Sequence, residues 1–197
     1  MNKTKKNRRA FTLIELLVGI ALSASVLIAT YGVYMVSTKG FRQSTASAEL
    51  TQNARISMER LSREIRQNIE ILTPLPSDFT VGTPPSEIKF QDGHNYWPGI
   101  GKIQYITYKL EGTDLHRIVS HYAFEAAPDD WVLYSTLGSD GVSIPDEIFE
   151  PGSDQIKAQN ITEIQFWGTK TITINLAVSN DIQTYHFETK ALGRNIQ

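Results

Sequence analysis

Residues 11–36 read FTLIELLVGIALSASVLIATYGVYMV, and Glu15 is the only charged residue in them. A helix of this length spans about 39 Å, more than the roughly 30 Å hydrocarbon core of a bilayer. The run therefore reads as a membrane helix, and the carboxylate is its anomaly. An ionised group in hydrocarbon is costly and is usually kept for a partner. No basic residue within the run can neutralise Glu15, so the partner is expected outside it.

On the N-terminal side, residues 1–10 carry Lys3, Lys5, Lys6, Arg8 and Arg9 and no acid. The remaining chain holds 14 basic and 21 acidic residues, a charge of −7 against −2 for the whole. The first charges after the run are Lys39 and Arg42. Five positives before the run against two after it place the N-terminus in the cytoplasm by the positive-inside rule. An acidic body argues against nucleic acid as a partner. Cysteine is absent, which excludes disulfides, thiolate metal sites and a cysteine nucleophile. A secretory signal cut near Ala21-Leu22-Ser23-Ala24 or Ser23-Ala24-Ser25, and an uncleaved signal anchor, both leave Glu15 without a purpose.

On the C-terminal side no proline occurs between Lys39 and Leu72. Leu50, Ala54, Met58, Leu61, Ile65, Ile69 and Leu72 recur at spacings of three and four, an apolar stripe on an amphipathic helix. Arg55, Arg60, Arg63, Glu64 and Arg66 fall off the stripe and read as a solvated face, with Glu59 four residues before Arg63. Pro74 and Pro76 end the helix. A single helix from Phe11 to about Ile71 is predicted, roughly 90 Å long, with Gly32 and Gly40 interrupting it.

Beyond Pro76 the pattern changes to strands. Residues 103–110 and 115–119 flank Glu111-Gly112-Thr113-Asp114, a hairpin signal. Ile164 and Phe166, then Ile172, Ile174, Leu176 and Val178, alternate, and a last strand carries Tyr185, Phe187 and Thr189. The proline-bearing stretches 73–101 and 123–160 read as loops with short strands such as Trp131–Tyr134. One antiparallel sheet burying the helix stripe is expected, an α+β fold.

No catalytic or cofactor constellation emerges. His94, His116, His121 and His186 are scattered, with His116 and His121 read as surface strand residues. Gly138-Ser139-Asp140-Gly141 reads as a turn rather than a nucleophile elbow. Asp129-Asp130 and Asp140 with Asp146-Glu147 lack the spacing of an EF-hand and read as solvated loop charge. Tyr96, Trp97, Trp131 and Trp167 read as core or turn packing, with adhesion open to any exposed subset.

Ala10-Phe11-Thr12-Leu13-Ile14-Glu15-Leu16-Leu17-Val18 resembles the signal of type IV prepilins and type II secretion pseudopilins. The resemblance implies a prepilin peptidase that cuts between Ala10 and Phe11 on the cytoplasmic side and N-methylates Phe11. The residue before the cut is Ala10 where the family usually has glycine. It implies a cleaved leader (1–10), a transmembrane and filament-core helix (11–36), its amphipathic continuation (37–72) and a β-rich head (73–197). It further implies that Glu15 pairs with the Phe11 amine of a neighbouring pilin or pseudopilin subunit, and that Gly32 gives the helix flexibility. Gln52-Asn53-Ala54-Arg55, Met58, Leu61 and Glu64-Ile65-Arg66, with Ala191-Leu192-Gly193-Arg194-Asn195, are similar to PilW- and J-type minor pilins. The resulting expectation is a non-enzymatic minor subunit that initiates or tips a type IV pilus. A J-type subunit of a type II secretion system, and a signal-anchored extracytoplasmic enzyme or binding protein, are the alternatives.

Overall fold

The computed structural model describes residues 12–93, 102–180 and 183–193. Ala10, Phe11, His94, Tyr96, Trp97, Arg194 and Asn195 lie outside them. Helix α1 runs from Leu13 to Gln67 and is followed, among the described residues, by nine strands. The chain divides into two compact units at Ala46/Ser47. In the first, the helix is exposed on every side from Leu13 to Ser37. In the second, residues 50–65 present Leu50, Ala54, Met58, Leu61 and Ile65 as a buried stripe.

The helix stops earlier than the spacing of its stripe predicts. It ends at Gln67, and Ile69 and Leu72 belong to an extended segment. Ile69 N–H donates to Gln91 O at 3.1 Å, Gln91 N–H to Glu70 O at 2.8 Å, and Leu72 N–H to Lys89 O at 2.8 Å. These bonds lie along strand β1 (Glu87–Gln91), whose backbone groups a longer helix would have left without partners. Spacings of three and four therefore ran past the last helical turn by chance.

A first sheet contains β1, β2 (Tyr105–Glu111), β3 (Asp114–Phe124), β4 (Ala127–Val132), β5 (Asp146–Phe149) and β6 (Gln155–Ala158). The hairpin β2–β3 stands as predicted, with Gly112 at φ 62° opening its two-residue loop. The long strand β3 carries β2 and then β4 along one side, and β6 and then β5 along the other. The short strand expected at Trp131–Tyr134 is instead β4, which ends at Val132.

A second sheet contains β7 (Ile161–Trp167), β8 (Thr171–Ser179) and β9 (Thr184–Leu192) in that order. Among the described residues there are thus two antiparallel sheets rather than the one expected. The outer side of β7 is taken by loop carbonyls: Ile161, Phe166 and Gly168 N–H groups donate to Thr113, Pro85 and Pro76. That prevents the two ladders from joining. Ile88, Phe90, Ile106 and Tyr108 from the first sheet, with Ile164, Phe166, Ile174 and Leu176 from the second, enclose Ala54, Met58, Leu61 and Ile65 in one core. The architecture is α+β, one long helix followed by antiparallel sheets.

Candidate functional site: the N-terminal segment of α1

Helix α1 begins immediately after Thr12, and its first turn contains Glu15. Thr12 N–H donates to Glu15 Oε2 at 2.9 Å, and the Thr12 hydroxyl donates to the same oxygen at 2.9 Å. In return, Glu15 N–H approaches Thr12 Oγ1 at 3.3 Å. This is a reciprocal cap: two N–H groups that the helix itself cannot satisfy each find a side-chain oxygen. The carboxylate also sits at the positive end of the helix dipole. Within the run Glu15 thus has a hydrogen-bonding partner in Thr12. The Thr12 hydroxyl and amide supply hydrogen bonds but no counter-charge. The signal was present as Thr-x-x-Glu before an apolar run.

Below this cap the helix is apolar in all directions. Its 18-residue apolar window has mean hydropathy 2.2 and no part of it is buried by the rest of the chain. The serine and threonine hydroxyls in it are satisfied locally: Ser23, Ser25 and Thr30 donate to the carbonyls of Gly19, Ala21 and Val26 at 2.8–2.9 Å. No such group therefore enters hydrocarbon with a free donor. The helix passes unbroken through Gly19, Gly32 and Gly40, and a Cβ at any of them would meet open space.

The body contains ion pairs that sequence reading placed elsewhere. Glu64, assigned to the solvated face, is largely buried and accepts Arg117 Nε at 2.9 Å and the Tyr108 hydroxyl at 2.9 Å. Burial, with the Glu64 carboxylate beside it, pushes the Tyr108 hydroxyl well above its ordinary range. Burial opposes the Arg117 charge, but the hydrogen bond and charge of Glu64 outweigh it and the pKa is raised. Arg63 and Glu59 pair at 3.2 Å as their spacing predicts.

His121, read as a surface residue, is buried on β3. Its Nδ1 lies 2.9 Å from Glu150 and its ring stacks on Trp131 at 4.1 Å. His116 meets Asp154 at 2.6 Å, and His186 is exposed on β9. Of the acids read as loop charge, Glu147 lies instead on β5 and pairs with Lys89 at 2.5 Å, and Asp140 accepts the Val142 and Ser143 N–H groups. Trp167 packs edge-on against Phe79 at 5.3 Å. Among the described residues no three His, Asp or Glu side chains gather as a metal site.

Residues 5–31 match the model of the prokaryotic N-terminal methylation motif. That span contains Lys5, Lys6, Arg8 and Arg9 of the basic segment, the Thr12–Glu15 cap and most of the apolar helix. Neither the comparison with curated proteins nor that with solved structures returned a match.

Proposed function

We propose that this chain, whose N-terminal methylation motif supports a reading as a member of the type IV pilin and pseudopilin family, is a minor structural subunit that initiates or tips a pilus. The motif supports processing by prepilin peptidase, membrane anchoring and assembly with other pilin-type subunits. The observation that carries the reading is the capped carboxylate at the head of an exposed apolar helix. Its supports for a minor role are the residues similar to PilW- and J-type subunits, among them Ala54, Met58, Leu61 and Ile65 of the buried stripe.

Before assembly the helix crosses the cytoplasmic membrane once, with residues 1–10 inside. Cleavage between Ala10 and Phe11 creates an α-amino group with a reference pKa near 8, mostly cationic at neutral pH. N-methylation leaves it cationic. The Thr12 contacts hold the Glu15 carboxylate at the start of the helix, where it pairs with the Phe11 amine of a neighbouring subunit. Away from water the pair is strongly attractive, and either charge alone is strongly disfavoured. Gly32 is the place where the helix yields as subunits pack, since glycine weakens a helix interior by about 1 kcal/mol relative to alanine.

The experiment compares processed subunit in membranes with subunit in sheared filaments. Glu15→Leu leaves insertion and processing intact but abolishes incorporation, and Glu15→Gln falls between. N-terminal mass analysis of the parent finds a methylated Phe11. A chain beginning at Met1 or after Ala24, or normal incorporation of Glu15→Leu, overturns the reading.

A further inference from the structure

Exposed strand edges invite pairing with another chain, and folded proteins usually cover them. Here β1 is covered by residues 69–73, and β7 by the carbonyls of Pro76, Pro85 and Thr113. Strands β4, β5 and β6 have only four to six residues each. Strand β9 is the exception. It has nine residues, no proline and no register shift against β8, and among the described residues nothing pairs with its outer edge.

Beside that edge lies a groove whose other wall is α1. Tyr185 and Phe187 of β9 form part of its floor and remain half-buried. Arg55 and Arg66 stand on the helix wall. Neither has an ion pair or a side-chain hydrogen bond among the described residues, whereas Arg63 is taken by Glu59 and Glu188 lies 3.8 Å from Lys190. Eleven residues on a helix separate the two arginines by about 16 Å, the length of about five strand residues.

We infer that the groove between α1 and β9 is a docking site for an extended acidic segment of another protein, which adds to β9 as a fourth strand. The incoming backbone satisfies the free edge. Alternate residues on its inner face place two acids, four apart and so about 13 Å from each other, against Arg55 and Arg66, whose long side chains span the remaining difference, with an apolar residue between them covering Tyr185 and Phe187. A second copy of this chain fits less well. Its own β9 brings one glutamate and one lysine, and no net charge for the arginines.

The test uses the full chain in detergent micelles and two blocked peptides, Thr-Glu-Thr-Val-Thr-Glu-Thr and its counterpart with lysine for glutamate. Amide hydrogen exchange is followed across β9. The glutamate peptide slows exchange at alternate β9 amides at least tenfold, and the lysine peptide does so far less. The exposed double substitution Arg55→Glu with Arg66→Glu reverses that preference without affecting the fold. No protection by either peptide, or equal protection by both, overturns the proposal. So does protection that rises with protein concentration alone, which assigns the edge to a second copy. Every readout lies within residues 47–197, so the result is separate from assembly through the N-terminal helix.

Discussion

Glu15 and Glu64 illustrate how a carboxylate's surroundings decide its use. Glu15 sits at the start of its helix, shares its Oε2 with two donors of Thr12, and faces outward. Glu64 is on the same helix but turned inward, between Arg117 and the Tyr108 hydroxyl, with both members of the ion pair about 15% exposed. Removing one partner of a largely buried pair leaves the other charge without compensation. Here Arg60, about half exposed and 3.2 Å from Glu64, still offsets part of that charge. Arg117→Met is therefore expected to destabilise the body by about 1 to 3 kcal/mol, a fall in melting temperature of roughly 2 to 12 °C. Thermal unfolding followed by circular dichroism checks this; an unchanged midpoint would mean that Arg60 and water, and not Arg117, stabilise Glu64.

Turns decide where the elements stop. Gly168, between β7 and β8, has φ 119°, and a Cβ there would lie 2.0 Å from the Thr171 carbonyl oxygen. Gly168→Ala should cost about 2 to 3 kcal/mol, because it adds a backbone clash to an unfavourable conformation. Gly32→Ala, with open space around it, should leave the body's melting temperature unchanged. The β4–β5 loop is organised differently. Asp140 accepts the Val142 and Ser143 N–H groups and the Ser143 hydroxyl, and these bonds, the hydroxyl first, lower its pKa to about 2. A depressed carboxyl pKa contributes stability that is present above the unfolded value near 4 and is lost as pH falls through about 2. Carboxyl titration by NMR should find the Asp140 midpoint near 2, with the loop amide shifts moving in the same window. Asp140→Asn should abolish that titration.

At the scale of the molecule, the body owes its core to residues after Ser47: the helix stripe is enclosed by both sheets and needs no lipid. A chain truncated to begin at Thr38 should be soluble, show both helix and strand by circular dichroism, and melt cooperatively. Aggregation or an unfolded spectrum would show instead that the stripe is an interface completed by another subunit. Leu61, with no exposed surface, provides the internal control, since Leu61→Asp places an unpaired charge in the core and should prevent folding.

Sequence alone determined the membrane run, the anomaly of Glu15, the buried stripe, the β2–β3 hairpin and the alternation of β8. Each of these is a local pattern written over a few residues, with a period set by helix or strand geometry. Tertiary structure alone decided where the helix ends, that the strands form two sheets, and that Glu64 and His121 lie inside. Those outcomes depend on partners distant in the chain: Lys89 and Gln91 for residues 69–72, Pro76 and Pro85 for β7, and Arg117 for Glu64. The free edge of β9 belongs to the same class, because an unpaired strand is recognised only after every other strand has found its neighbour.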